Sequence, residues 1–176
     1  MIISQQIEKS IRTVLDFPIK GVNFKDITSV LLDPNLTNLI IDEFVNRLKV
    51  LNIDAIVGVE SRGFLFGFML ANRLNIPFVP IRKSGKLPLK TLKYSYDLEY
   101  GSSEVEIHAD DIKENWNVLI HDDLLATGGT ALAAAELVSS SNANVAGFAF
   151  VICLDSLNGD QNILKYSKNI ISLYNC

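Results

Sequence analysis

Cysteine, histidine and surplus basic charge are all scarce in this chain of 176 residues, and each shortage narrows what it can do. Its two cysteines, Cys153 inside an apolar run and Cys176 at the last position, suggest neither a metal cluster nor a stabilising disulfide. With 16 Lys and Arg against 20 Asp and Glu, the formal net charge of −4 argues against a nucleic-acid surface, although a local basic patch can still hold a small polyanion. Hydrophobic residues make up 48% of the chain, yet no apolar run reaches membrane-spanning length. The opening MIISQQIEKS has neither a signal-peptide profile nor an arginine-rich transit profile, so a cytoplasmic protein with no membrane partner is expected. Internal repeats and linker-like composition shifts are also missing, which makes residues 1–176 a single expected domain.

Helical and strand patterns alternate along the chain, which predicts an α/β fold: an open, mostly parallel twisted sheet with helices on both faces. Ile3, Ile7, Ile11 and Val14 recur at helical spacing, and Asp33-Pro34 offers a cap followed by proline at the first helical position. The helix after it places Leu36, Leu39, Ile40, Phe44 and Leu48 on one side. Strands are expected at Ala55–Val59, Pro77–Ile81, Val118–Ile120, Val145–Leu154 and Ile170–Tyr174, mostly continuous apolar runs as buried parallel strands require. Helices are expected at Phe64–Leu74 and Thr130–Ser139. From 83 to 110, tyrosines, glycines and charges replace the periodic pattern, and this stretch reads as a flexible flap with short antiparallel strands around Val105 and Ile107.

The most informative stretch is VLIHDDLLATGGTALAAAELV, from Val118 to Val138. An apolar strand runs into two carboxylates, a small-residue turn and a helix. Gly128 and Gly129 can adopt backbone conformations barred to other residues, and Thr127 and Thr130 add hydroxyls beside main-chain N–H groups. The following helix presents its positive end, so Ala126, Thr127, Gly128, Gly129 and Thr130 form a candidate phosphate site. Asp122 and Asp123 would repel a phosphate lying against them, so they should face hydroxyl donors or a metal; a ribose diol fits. The turn lacks the Gly-Lys-Ser/Thr ending of an NTPase loop and the spaced glycines of a dinucleotide fold. A Gly-Gly pair alone would fit any βα turn; strand, acid pair and small-residue helix together favour the anion site.

A second turn, VGVESRGFLFG from Val57 to Gly67, repeats that topology. Ligands gather at the carboxyl ends of parallel strands, so both turns can line one crevice. Ser61 and Arg62 there would face a second anion; alternatively Arg62 is a surface residue paired with Glu60. In IRKSGKLP, Arg82, Lys83 and Lys86 crowd three cations at a strand exit, which a diphosphate would relieve, whereas a solvated basic loop is the plainer reading. Within the flap, Tyr96, Glu99, Tyr100 and Gly101 read either as a closing segment or as a structural tyrosine cluster.

Branched apolar residues, two acids, a short spacer and ATGGT together resemble the phosphoribosyl-diphosphate signature of the type I phosphoribosyltransferases. The order of all these parts, with DFPIKGVNFKDIT from Asp16 to Thr28, is similar to the adenine-specific branch of that family over nearly the whole chain. The resemblance implies a small N-terminal hood, with residues 1–33 binding the base. It implies that Phe24 stacks on adenine, that the main chains of Asn23 and Lys25 read its edge, and that Leu124 packs the opposite side. The implied reaction is purine salvage: N9 of adenine attacks C1 of 5-phosphoribosyl 1-diphosphate, giving AMP and diphosphate. Residues 126–130 would hold the 5-phosphate, Asp122 and Asp123 the ribose hydroxyls, and Ser61, Arg62, Arg82, Lys83 and Lys86 the diphosphate. Glu99 would manage the purine proton and Tyr100 would exclude water. Magnesium would be held mainly by substrate and water, with no direct protein ligand assigned, and a homodimer is implied.

Several positions depart from the usual family pattern. His121 stands where a branched apolar residue is common and is expected to be a satisfied strand-end histidine, the alternative being that it tunes the carboxylates. Asn23 replaces an apolar residue, Phe68 a proline; His108 has no evident partner and Trp116 reads as a packing anchor. Two rival readings remain: a transferase for hypoxanthine, guanine or xanthine, and a non-catalytic regulator that senses phosphoribosyl diphosphate. The base segment argues against the first. The second generally needs a DNA-binding extension or basic face that is not seen here, and the retained diphosphate and flap residues also speak against it.

Overall fold

Alternate residues of the central strands enter two different cores, and that division organises the molecule. The computed structural model describes every residue except Met1, Pro18, Val22, Glu99 and Tyr100, together with the side chains of Asp97, Leu98, Gly101 and Ser102. Helix α1 is Ile3–Ser10, and strands β1 (Arg12–Val14) and β2 (Phe24–Asp26) pair antiparallel as a small separate sheet. A 3-10 turn, Ile27–Leu32, leads into α2 (Pro34–Leu48), followed by β3 (Ala55–Val59), α3 (Gly63–Leu74) and β4 (Phe78–Lys83). The hairpin β5 (Thr91–Leu98) and β6 (Gly101–His108) precedes β7 (Asn117–Leu125) and α4 (Gly129–Ser140). The chain closes with β8 (Asn144–Cys153), α5 (Gly159–Ile163) and β9 (Ile170–Asn175).

The main sheet has the order β5-β6-β4-β3-β7-β8-β9. Strands β4, β3, β7, β8 and β9 are mutually parallel, and β6 joins β4 antiparallel with β5 outside it. The expected α/β fold with a mostly parallel sheet is the one found, and the residues at 83–110 extend that sheet as a hairpin of two 8-residue strands. On one face Val57, Ile120 and Phe148 pack against α4; on the other Ile56, Leu119 and Ala149 pack against α1, α2 and α3. Each large apolar side chain so buried contributes roughly 1.5–3 kcal/mol. Helix α4 buries Ala131, Ala133, Ala134 and Ala135 in this core, side chains small enough to let neighbouring elements pack closely around it. The cap on α2 forms as the sequence suggests: Asp33 Oδ1 accepts from Asn35 N at 2.9 Å and Leu36 N at 3.1 Å.

Three expectations need correction. The first helix ends at Ser10, and Val14 lies exposed in β1 because pairing with Phe24 overrides its helical spacing. Leu39 is 45% exposed rather than packed, lying off the stripe formed by Leu36, Ile40 and Phe44. Strand β7 does not stop at Ile120; ladder pairing with β8 carries it through the acid pair to Leu125.

Candidate functional site

Where β7 ends, Gly128 turns the chain with φ +83°, a left-handed conformation that favours glycine, and α4 begins at Gly129. Leu132 N donates to the Gly128 carbonyl at 2.8 Å, so the amides of the first turn lack intrahelical acceptors, and Gly128 at the cap position has no side chain to bond them. A hollow of about 70 Å³ opens there, lined by Asp122 and by residues 124–131, among them Ala126, Thr127, Gly128, Gly129 and Thr130. Free amides at a positive helix end, in a hollow of that size, suit a phosphate group.

Asp122 and Asp123 sit directly upstream. Asp123 is 3% exposed, and its N–H donates to Asp122 Oδ1 at 2.9 Å. Arg62, at the start of α3, donates from Nε to Asp123 Oδ2 at 2.6 Å, and its guanidinium carbon lies 5.5 Å from the centroid of the Phe24 ring. Loss of solvent, reinforced by the Asp123 charge, pushes the Asp122 carboxyl well above its ordinary value and favours the protonated form; Arg62 opposes this only weakly.

The pairing of Arg62 with Asp123 corrects the alternative that joined it to Glu60. Glu60 instead accepts from Arg82 Nε at 3.2 Å and from the Lys83 amide at 2.8 Å. Desolvation raises the Glu60 carboxyl, but the Lys83 amide and Arg82 outweigh it, so its pKa falls below the ordinary value. The negative partner of the basic cluster is therefore partly built in. Lys83 lines the central cleft, whereas Lys86 is exposed, its amide donating to Glu106 Oε1 at 2.8 Å. Glu106 is 1% exposed and also accepts from Leu87 N at 2.9 Å, tying the basic loop to the hairpin. Sequence reading missed Glu106; a charged residue between the alternating Val105 and Ile107 was the available signal.

The cleft itself measures about 370 Å³ and lies at the carboxyl ends of the neighbouring strands β3 and β7. In an open parallel sheet that is where ligands gather. Glu60, Arg62, Lys83, Asp122, Asp123 and Leu124 line it, with Ala126, Thr130 and Tyr96 at the end towards α4. The Tyr96 hydroxyl lies 3.4 Å from Thr130 Oγ1. Glu99 and Tyr100 lie outside the described residues. Ser61 is exposed beside the cleft, and Arg82 stands behind Glu60. Phe24 approaches through Arg62 and meets Phe17 edge-on at 5.2 Å, while Lys25 Nζ donates to Thr13 Oγ1 at 3.1 Å and Asn23 is exposed. A larger cleft of about 450 Å³ beside α5 is lined by Asp155, Asp160 and Lys168, and none of the candidate site residues read from the sequence lines it.

His121 is not a satisfied strand-end residue. It lies mid-strand, fully buried, edge-on to Phe44 at 5.6 Å, and neither ring nitrogen has a hydrogen-bond partner among the described residues. Burial pushes its pKa down to about 4, the backbone of Ala149 opposing this weakly, so the ring is neutral. His108 does have partners: Asp111 Oδ2 at 3.1 Å and the Pro88 carbonyl at 2.9 Å. Trp116 packs on the α4 core, with Lys113 Nζ 5.2 Å from its ring. Also unforeseen was Asn162, whose Nδ2 donates to the Thr127 carbonyl at 2.7 Å. No local pattern in the sequence points to that contact, made across 35 residues.

The chain is similar in sequence and structure to characterised proteins. A phosphoribosyl transferase domain model matches residues 30–174. The adenine phosphoribosyltransferase of Agathobacter rectalis is 48% identical over 164 residues, covering 93% of this chain and 94% of that protein. The crystal structure of adenine phosphoribosyltransferase from Thermoanaerobacter pseudethanolicus is 46% identical with a TM-score of 0.94, covering 98% of this chain and 99% of the other. That of the Saccharomyces cerevisiae enzyme, complexed with an imino-altritol bisphosphate and adenine, is 39% identical with a TM-score of 0.91, covering 97% and 98%.

Proposed function

This chain belongs to the phosphoribosyltransferase family and salvages adenine to AMP, and from that premise we propose how its residues divide the work. Adenine N9 attacks C1 of 5-phosphoribosyl 1-diphosphate, forming AMP and diphosphate. The transition state carries oxocarbenium character, so the site must stabilise positive charge on the ribose and negative charge on the leaving group.

Residues 126–130 hold the 5-phosphate, chiefly through their main-chain amides. Asp122 and Asp123 hold the ribose hydroxyls, and Asp123 favours the developing cation. Arg62 serves two partners at once: Nε is committed to Asp123, while Nη1 and Nη2 have no partner among the described residues and are available to the diphosphate. Lys83 reaches the same group from β4, supported by Ser61, Arg82 and Lys86. Phe24 stacks on the base, the main chains of Asn23 and Lys25 read its edge, and Leu124 closes the other side. A reading edge of this kind rejects bases with the wrong donor pattern better than shape does. Glu99 handles the purine proton and Tyr100 excludes water, with 83–110 as the flap and 1–33 as the base-binding segment.

Magnesium fits as an ion carried chiefly by substrate and water. Asp123 is already engaged by Arg62, which leaves it little capacity for a direct metal bond. Asp122 and Asp123 are the groups that would approach it, and when bound it offsets charge on the diphosphate. Two further readings rest on the family: a cytoplasmic location, and a homodimer for which exposed Leu65 and Phe68 on α3 offer an apolar face. Among the described residues no helix is long and apolar enough to cross a membrane.

The observation that carries the mechanism is the meeting of an uncapped helix end, an acid pair and a cationic lysine along one cleft. Mixing the protein with magnesium, phosphoribosyl diphosphate and each purine in turn should yield AMP from adenine. Nucleotide from guanine or hypoxanthine but not from adenine would overturn the base assignment.

A further inference from the structure

We propose that α5 is a clamp that positions the phosphate loop, with Asn162 and Gly159 as its two jaws; the inference rests on reading residues 126–130 as the 5-phosphate loop. An anion loop works only if its amides face the ligand and its carbonyls, which repel anions, face away. The Thr127 carbonyl is held by Asn162 Nδ2 at 2.7 Å. On the next turn of the contact, the loop and α5 touch backbone to backbone. A Cβ on Gly159 would lie 2.1 Å from the Ala126 carbonyl oxygen and 2.8 Å from Gly128 N. A Cβ on Gly128 would lie 2.4 Å from the Gly159 carbonyl oxygen, so the interlock admits glycine alone on both sides.

The clamp is itself anchored. Ile163, at the end of α5, is fully buried in the α4 core, and Glu136 on α4 pairs with Lys165 Nζ at 3.4 Å and with the Tyr166 hydroxyl. The carbonyl direction of Thr127 is thus referred to the same helix whose N-terminus meets the phosphate. Asn162 touches no substrate atom in this account; it is a positioning residue.

Asn162 is exposed, so Asn162→Ala should leave folding and the melting midpoint intact. Loss of one hydrogen bond predicts a rise of about 5- to 10-fold in KM for phosphoribosyl diphosphate, with KM for adenine changed less than about 2-fold. AMP affinity should fall while adenosine affinity holds, a split that a general structural lesion would not give. Asn162→Gln, which keeps the donor, should recover part of the loss. An unchanged phosphoribosyl diphosphate KM, or parallel losses for adenosine and AMP, would overturn the clamp. Gly129→Asp, which sets a carboxylate in the cradle where a Cβ meets only Tyr96 at 3.6 Å, separates the two levels. If it raises that KM while Asn162→Ala does not, the clamp alone falls; if it has no effect, the loop assignment falls and the clamp with it.

Discussion

Arg62 and Asp123 meet at 2.6 Å across 61 residues of sequence, joining the start of α3 to the acid pair of β7. The same guanidinium lies over Phe24, so one side chain connects the N-terminal segment to the acid pair, the parts proposed to hold the base and the ribose. Asp123→Asn keeps the shape but removes the charge. We expect turnover to fall by about 10²-fold or more, the scale on which a single electrostatic stabiliser acts, with an unchanged circular dichroism spectrum. Steady-state rates equal to those of the parent would take Asp123 out of the chemistry.

Phe24→Ala should act on the other end of the site. An aromatic stacking contact is worth about 0.5–1.5 kcal/mol beyond its buried area, so KM for adenine should rise about 3- to 10-fold or more while that for phosphoribosyl diphosphate moves little. Adenine saturation curves that superimpose would show that the ring does not meet the base.

The acid pair also gives stability a pH dependence of defined sign. The native Asp122 carboxyl titrates well above 3.8, so the folded state binds a proton that the unfolded chain releases, and this group's contribution declines as pH rises from about that value. Asp122→Asn removes the decline. Urea midpoints measured from acid to neutral pH should therefore shift progressively in favour of the variant, and a constant gap between the two proteins would contradict the raised pKa.

Glu106 behaves in the opposite sense. Burial raises its carboxyl, but the Leu87 and Lys86 amides, Thr91 and Lys93 overcome this, so its pKa lies below 4.5; its contribution is present above that value and lost as acid titrates it. Glu106→Ala strands two amides and should cost on the order of 1–3 kcal/mol in denaturant melts. Because the loop holding Lys83 and Lys86 loses its tie, the phosphoribosyl diphosphate KM should rise as well. A variant as stable as the parent would show that the loop is held some other way.

The acid pair and glycine turn were legible because strand, carboxylates, turn and helix start are consecutive, each with its own local signature. Arg62, by contrast, could be assigned only between an anion and its near neighbour Glu60; its actual partner is far along the chain and becomes adjacent only through the parallel pairing of β3 with β7. His121 misled for a related reason. Histidine at an expected strand end should find water, but ladder pairing with β8 carried the strand onward and left the ring in an apolar core. Asn162 and Gly159 were invisible because a side-chain bond to a distant carbonyl and a backbone-to-backbone contact leave no periodicity to read.

The alanine-lined underside of α4 carries one further implication. Methyl groups keep the stand-off between helix and strands short, and that spacing sets how high the helix tip sits over the ends of β7. Swapping Ala134 for leucine would cost about 1–3 kcal/mol in crowding and jack the tip outward. The altitude of the proposed anion seat is thus dictated by side chains with no part in the ligand contacts assigned to it.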